Sequence, residues 1–381
     1  MNTQKICIIG DGLTGLTTAA ILGKQNINID LYSYNKKKSK NLDNRTTAIS
    51  ESNFQYIKNN LNLHKTNFFW PCKKIYLFFE DKGKIINFLN FDDYNKNLMH
   101  IFQNKNLKQK LDKIISQKKN IKVINKKIKD INCERSFVTI DKKKIFYDLI
   151  ILSIGGLSKL YAKIDAGRSI NKKYNEVAIT AIIKHNAKVK NASQFFLKEG
   201  PLAILPFKKN IFSTVWSINN HYFRDNKENL KNILTKKLET VLNIKKIKTS
   251  ESIKIFPINL NLKTKYFKKN VLILGDGLHT VHPMAGQGFN LVLRDIKKLA
   301  ELMSQTSKLG LLFKDSFLLK NFRNTRKPEN NLFGLGINLT NFFFRDSKYL
   351  SVIKKKLFQN INNFSFIKKI SQSVADRGIS F

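Results

Sequence analysis

The stretch KICIIGDGLTGLTTAAILGK, residues 5–24, constrains this chain more than any other. Lys5 to Ile9 reads as a short buried strand. It ends at Gly10, and Gly10, Gly12 and Gly15 fall at G-x-G-x-x-G spacing. Leu16, Ala19, Ala20 and Gly23 then share one helix face, and Ile27 to Tyr32 reads as a second strand. A strand, a glycine turn, a helix and another strand open a Rossmann-type sheet. Gly10 permits the tight turn, Gly12 lets a pyrophosphate approach the backbone, and Gly15 lets helix and strand pack closely. The helix start, with Leu13 and Thr14, offers free N–H groups and partial positive charge to phosphates. One expected element is absent. An acid that binds ribose hydroxyls belongs at the end of the second strand, and Ser33 stands there. Asp30 is close in sequence, but strand alternation points it elsewhere.

A second glycine-rich segment, GDGLHTVHPMAGQGFNL, runs from Gly275 to Leu291. An apolar run, Val271 to Leu274, leads into it. A helix follows through Leu293, Ile296, Leu299 and Leu302. Asp276 at a strand end suits sugar-like hydroxyls. Pro283, Gly286, Gln287 and Gly288 precede the helix, whose N–H groups suit a carbonyl or a developing oxyanion.

Between these segments the chain alternates. Ile75 to Phe79 and Lys84 to Leu89 read as strands around an Asp81-Lys82-Gly83 turn. Leu98 to Ile115 reads as a helix. Lys122 to Asp130, Ser136 to Asp141 and Ile145 to Leu152 are strand-like. Asn175 to His185, Ala192 to Leu197, Leu202 to Pro206 and Phe212 to Ile218 form an antiparallel run. Asn226 to Leu242 reads as a helix, and the chain after Lys308 is largely helical in character. The 381 residues suffice for two domains.

Three dispersed cysteines, Cys7, Cys72 and Cys133, show no disulfide framework or zinc spacing and suit a reducing cytoplasm. No signal peptide is visible at the start. No apolar run approaches the roughly 18 residues of a membrane span. The net charge of +42 suits anionic lipid, although Lys, Asn, Ile and Phe rise together under AT-rich coding. No nucleic-acid motif accompanies the charge.

GDGLHTVHPMAGQGFNLVLRD resembles the signature G-D-A-A-H-x-x-H-P-x-A-G-Q-G-x-N-L-x-x-x-D of the UbiH/VisC family of FAD-dependent hydroxylases. That family lies within the para-hydroxybenzoate hydroxylase-like superfamily. Gly277 and Leu278 replace two alanines. DNRTTAIS (Asp43 to Ser50), MHIFQNKNL (Met99 to Leu107), EGPLAILPF (Glu199 to Phe207), Val215-Trp216-Ser217 and ADRGIS near the end are similar to further family segments. The resemblance covers nearly the whole chain in order.

It implies an α/β fold with a discontinuous, Rossmann-like FAD-binding domain over 1–70, 99–160 and 265–330. A mixed or antiparallel β-sheet substrate domain takes 71–98 and 161–264, and a helical C-terminal region takes 331–381. It implies FAD as cofactor, NAD(P)H as reductant, and hydroxylation of a polyprenylated phenol by O2 through a flavin C4a-hydroperoxide in ubiquinone biosynthesis. It places Arg45 and Gln103 by the cofactor, Asp276 on the ribityl chain, Gly286 to Gly288 at the pyrimidine side and Asn290 near the ring. No acid or base is nominated as catalytic. The family's A-D-G-x-x-S segment is Ile154-Gly155-Gly156-Leu157-Ser158 here, so a second acid is absent at Gly155. The alternative is therefore a catalytically impaired flavoprotein with a structural place among ubiquinone-biosynthesis proteins.

His279 and His282, three apart, suit one helix face, but they lack further metal ligands and no metal is expected. His64, His100, His185 and His221 read as surface or packing residues. Leu332 to Phe344 is apolar and flanked by Arg323, Arg326, Lys327, Arg345 and Lys348. Two readings of it stand together: an interfacial helix on anionic lipid, or a helix packed on the FAD domain. A cytoplasmic protein, with a peripheral place on the inner membrane face as an option, follows from both.

Overall fold

Four consecutive apolar residues, Ile6 to Ile9, have both faces covered and cannot sit at a half-solvated strand. In the computed structural model of the chain they form the centre of a parallel sheet. The structure describes residues 3–33, 43–93, 95–156, 158–164, 169–187, 189–250, 253–283, 286–315, 317–345 and 365–378. The sheet has six strands in the order Phe267–Lys268, Val271–Ile273, Leu149–Leu152, Gln4–Ile9, Ile27–Tyr32 and Ile121–Ile124. All pairs are parallel except the outermost, Phe267–Lys268 on Val271–Ile273.

Helices pack on this sheet and on a second one. The first, α1 (Leu13–Leu22), leaves the glycine turn directly. The others are α2 (Glu51–Asn60), α3 (Asn104–Ser116), α4 (Asn220–Asp225), α5 (Leu230–Leu242), α6 (Gln287–Lys308), α7 (Leu318–Arg345) and α8 (Ser365–Arg377). The largest core joins sheet residues Ile8, Leu31, Ile151 and Leu272 to Leu107 and Leu111 of α3 and Leu293, Ile296 and Leu299 of α6.

A second, larger sheet runs His279–Thr280, Lys254–Lys263, Ser169–Lys184, Ile211–Asn219, Gly200–Lys208, Ala192–Leu197, Lys74–Asp81 and Lys84–Asp92. It is antiparallel except where Ala192–Leu197 pairs parallel with Lys74–Asp81, so it is mixed. Helix α5 covers one face through Leu230, Leu234 and Leu238, against Trp216 and Phe212. A small sheet of Thr46–Ser50, Met99–Gln103 and Trp70–Cys72 links the two larger ones. Thr46 Oγ1 and Ser213 Oγ share a hydrogen bond across that junction.

Several boundaries differ from expectation. Residues 98–115 are not one helix: Met99–Gln103 is a strand and the helix starts at Asn104. Ile101 and Phe102 pair with Ala48 and Thr47 and are fully buried, which a solvated helix start would not permit. The helix read from Asn226 begins at Leu230, after α4. Local bonds hold the gap open, since the Asn226 amide donates to Tyr222 O at 2.8 Å. The strand read over 145–152 is two, Lys143–Phe146 and Leu149–Leu152. Tyr147 and Asp148 turn away between them, Tyr147 Oη to Asp30 and Asp148 to Lys5 N. The strand at Lys122 to Asp130 is only Ile121–Ile124. Lys254–Lys263, with Pro257 in it, was outside the expected strands; its partner's register shifts between Lys173 and Val177, beside that proline.

Candidate active site

The strand register brings the first turn together. Ile9 pairs with Tyr32 on one side and Leu152 on the other, so the chain beyond Ile9 emerges between two strand ends. Gly10 N donates to Tyr32 O at 3.0 Å, with φ +119°. A Cβ at Gly10 would stand 2.3 Å from Ser153 O, and one at Gly15 would stand 1.9 Å from Gly10 O. Gly12 is different: a Cβ there would meet nothing within 4 Å. It caps α1 with no side-chain bond, and the first turn of α1, from Leu13 and Thr14, carries no acid. The backbone here faces open space, and among the described residues nothing accepts from the Gly12, Leu13 and Thr14 N–H groups, an arrangement that suits an anion.

The second turn docks against the first. A Cβ at Gly275 would stand 2.8 Å from both Thr14 Oγ1 and Thr14 Cγ2, so only a glycine lets these segments meet. Asp276 follows in a short 3-10 turn and is exposed. Arg45 lies within electrostatic reach of it. Arg45 donates twice to Asp43, Nε and Nη2 each at 2.8 Å. The bonds to Asp43 and the nearby Asp276 raise the guanidinium's pKa against the effect of burial. Burial pushes the Asp43 carboxyl up, but its bonds to Arg45 and Asn104 outweigh that and hold it below the usual range. Gln103 ends the strand that pairs with Thr46 and caps α3 without a side-chain bond.

Gly286 caps α6 in the left-handed region, φ +62°, close against Ala48. Gly288, like Gly12, faces space empty of atoms within 4 Å of a Cβ. Gln287 Oε1 is buried and has no hydrogen-bond partner among the described residues. Asn290 behaves otherwise. Its Nδ2 donates to Ala48 O at 3.1 Å and Gly286 O at 3.0 Å, and its Oδ1 accepts from Ser50 N and Asn53 Nδ2, each at 2.8 Å. The amide's capacity is used up by the protein itself.

Two cavities meet at this loop, and Pro283 and Val215 border both. One, of about 310 Å³, lies beside Arg45, Thr46, Thr180, Phe256 and Thr280. The other, of about 240 Å³, is mainly apolar, with Leu77, Phe91, Phe196, Leu205, Gly286 and Gln287 among its walls. Ser371, Gln372, Ala375 and Asp376 of α8 close one side, and Lys96 Nζ stands 3.5 Å from Asp376 there. Ser193 and Gln194 add polar groups.

His279 and His282 do not share a helix face, because the segment is a strand followed by extended chain. His279 Nε2 bonds to Asp295 at 2.6 Å and His282 Nε2 to Glu176 at 2.9 Å. The sequence reading missed a buried ion network behind His279. Arg326 Nε donates to Asp295 at 2.6 Å and Arg326 also pairs with Glu329, which Arg294 meets at 3.4 Å. Burial pushes the Asp295 carboxyl up, yet Arg326 and His279 together hold it below its ordinary value. The acid that closes the glycine-rich signature was a usable signal for this network. Asp43, two residues before Arg45, was likewise a usable signal for the Arg45 ion pair.

A family profile described as a FAD binding domain matches residues 163–312. The mitochondrial ubiquinone biosynthesis monooxygenase COQ6 of Dictyostelium discoideum is 25% identical over 97% of this chain and 90% of its own length. The 3-demethoxyubiquinol 3-hydroxylase of Escherichia coli is 28% identical over 38% of each chain. These relatives make the chain similar to FAD-dependent hydroxylases of ubiquinone biosynthesis. The ubiquinone hydroxylase UbiL of Rhodospirillum rubrum is 29% identical over 42% of this chain and 38% of its own length. The fold is that of FAD-dependent monooxygenases: p-nitrophenol 4-monooxygenase PnpA of Pseudomonas putida superposes with a TM-score of 0.77 at 14% identity, over 97% of this chain and 96% of that one. PqsL of Pseudomonas aeruginosa gives 0.75 at 16% identity, over 91% and 97%.

Proposed function

We propose that the chain hydroxylates the aromatic ring of a polyprenylated phenol in ubiquinone biosynthesis, using bound FAD, NAD(P)H as reductant and O2. The observation that carries this reading is the mainly apolar cavity placed against Pro283, Gly286 and Gln287. A ring held there would lie beside the loop that we assign to the flavin.

The residues present fit FAD. Gly12 and Gly288 both leave open the space that a side chain would fill. Helices α1 and α6 start with no acid in the first turn and no side-chain cap. Gln287 Oε1 is a buried acceptor awaiting a donor, as a flavin ring N–H would be. We assign Gly10, Gly12, Leu13, Thr14 and Gly15 to the pyrophosphate, Ser33 to the adenosine end, and Arg45, Gln103 and Asp276 to the linking sugar chain. Pro283, Gly286, Gln287 and Gly288 take the ring, with Asn290 holding their backbone. The same proposal assigns residues 71–98 and 161–264 to the substrate domain.

When bound, FAD supplies the electron transfer and oxygen activation. The chain's part is to orient and to exclude water. The walls at Leu77, Phe91, Phe196 and Leu205 dry the ring site, and α8 covers it. Ser193 and Gln194 are the hydrogen-bonding groups that orient a phenol oxygen. The N–H groups at the start of α6 would stabilise negative charge on a flavin ring held by Gly286, Gln287 and Gly288. Lys96 and Asp376 neutralise each other at the rim, so neither burdens the cavity with a net charge.

Peripheral attachment to anionic lipid belongs to the same proposal. Its support is the charge of +42 and the half-exposed Leu332 and Leu335 on α7. The side chains from Asn338 to Phe344 lie outside the described residues. No described helix is long and apolar enough to cross a membrane. The alternative of an impaired structural flavoprotein rests on the absent acids at Ser33 and Gly155, and the cavity gives it no further support.

The test is reconstitution with FAD, then NADH or NADPH oxidation with and without a short-chain prenyl phenol, and mass spectrometry of the product. A ring product heavier by one oxygen is expected. Failure to bind FAD, or NAD(P)H oxidation without hydroxylated product, would overturn the proposal.

A further inference from the structure

The second strand ends at Tyr32, and Ser33 follows it, where a dinucleotide fold ordinarily places the acid that grips the adenosine ribose. The fold restores a carboxylate at that spot from another direction. Gly10 N is bound to Tyr32 O at 3.0 Å, so residue 11 emerges next to residue 33. Ser33 Oγ donates to Asp11 Oδ2 at 2.7 Å. Ser33 is buried, and its own N–H is taken by Ile124 O at 3.0 Å, so its hydroxyl is fixed toward Asp11. Asp11 Oδ1 takes no hydrogen bond from any described residue. We propose that Asp11, held by Ser33, is the ribose-binding carboxylate of this chain, its oxygens accepting from the vicinal hydroxyls of the FAD adenosine.

A carboxylate inside the pyrophosphate turn carries an electrostatic cost, and a cation beside it offsets that. Lys108 of α3 donates to Asp11 O at 3.0 Å and stands 3.7 Å from Asp112. The lysine fixes the backbone of the turn and places a positive charge beside it. The exchange of an acid at the strand end for Asp in the turn plus Ser at the strand end keeps one carboxylate at the ribose.

This inference rests on the FAD reading. It is tested by calorimetric titration of apo-protein with FAD and with FMN, which lacks the adenosine. Asp11→Ala is expected to weaken FAD binding by about tenfold or more and to leave FMN binding unchanged. Asp11→Asn, which keeps the shape and the Ser33 bond, should lose less. Adding Ser33→Glu to Asp11→Ala should restore most of the FAD affinity. Unchanged FAD affinity in Asp11→Ala overturns the inference while leaving the FAD reading intact, and so does an equal loss for FAD and FMN. A wild-type protein that binds neither flavin overturns the FAD reading and this inference with it.

Discussion

Asn290 was expected beside the flavin ring, and the structure gives it another task that can be measured. Its side chain is 2% exposed and joins four groups from three segments: Ala48 and Ser50 of the linking sheet, Asn53 of α2, and Gly286 at the α6 cap. Truncation in Asn290→Ala strands two buried donors, the Ser50 N–H and the Asn53 amide. At about 1–3 kcal/mol for each buried group left unmade, the fold should lose about 2–6 kcal/mol. Asn290→Asp should do no better, because it points an acceptor at the Ala48 and Gly286 carbonyls. Chemical unfolding of the apo-protein measures the loss directly, and FAD titration of the same variant measures the site. Apo stability within about 0.5 kcal/mol of wild type, together with abolished FAD binding, would refute the reasoning. That outcome would place the amide on the cofactor and not in the frame.

The two kinds of glycine should separate in the same assays. Gly12→Val meets open space and should leave unfolding unchanged while FAD affinity falls about tenfold or more, whereas Gly15→Ala drives a Cβ to 1.9 Å from Gly10 O and should destabilise the fold by about 3 kcal/mol. Asp295 has a folded pKa below its ordinary value, so its contribution is present above about pH 4 and is lost as pH falls through the folded value. Asp295→Asn should therefore cost about 3–5 kcal/mol at neutral pH and flatten the acid limb of a pH series of unfolding curves; a wild-type acid limb would contradict this. Gln194→Leu in the apolar cavity should leave FAD affinity intact and lower the ratio of hydroxylated product to NAD(P)H consumed by about tenfold. An unchanged ratio would remove Gln194 from the ring site.

Pattern made the parallel sheet legible: Ile6 to Ile9 is an apolar run buried on both faces, Ile27 to Tyr32 alternates its apolar residues with Asn28 and Asp30, and both strands read correctly. The glycine turns were legible for a similar reason, since a Cβ is excluded at Gly10, Gly15 and Gly275 by backbone or side-chain atoms. What failed was local. Met99–Gln103 continues without a break into α3, and nothing between Phe102 and Asn104 announces the change from strand to helix. Pro257 hid a ten-residue strand, because a proline ordinarily argues against a ladder. The pairings that complete the site were beyond sequence reach, even where one partner stood out, as Asp295 did in the glycine-rich signature. Asp11 with Ser33, Arg326 with Asp295, and Asp376 with Lys96 lie 22, 31 and 280 residues apart. Only the fold brings such pairs together.

The spacing of His279 and His282 carries the last step. In extended chain, residues three apart point to opposite faces, whereas on a helix they would point to one. The segment is extended, with His279 and Thr280 paired to Leu262 and Asn261. His279 therefore reaches Asp295 of α6, on the parallel-sheet side, while His282 reaches Glu176 in the large sheet. Each histidine is anchored in a different layer. The stretch between them is pinned at both ends by a buried carboxylate, and Pro283, the next residue, is presented to both cavities. A loop fixed only to one sheet would follow that sheet when the two shifted. A loop fixed to both must stay at their junction, which is where a reacting ring and a flavin have to meet. The ion network of Arg326, Glu329 and Arg294 extends the same anchorage to Ala375 of α8, 2.8 Å from Arg294, on the helix that walls the apolar cavity. One chain of buried charges thus sets the positions of the loop and of the cavity wall opposite it.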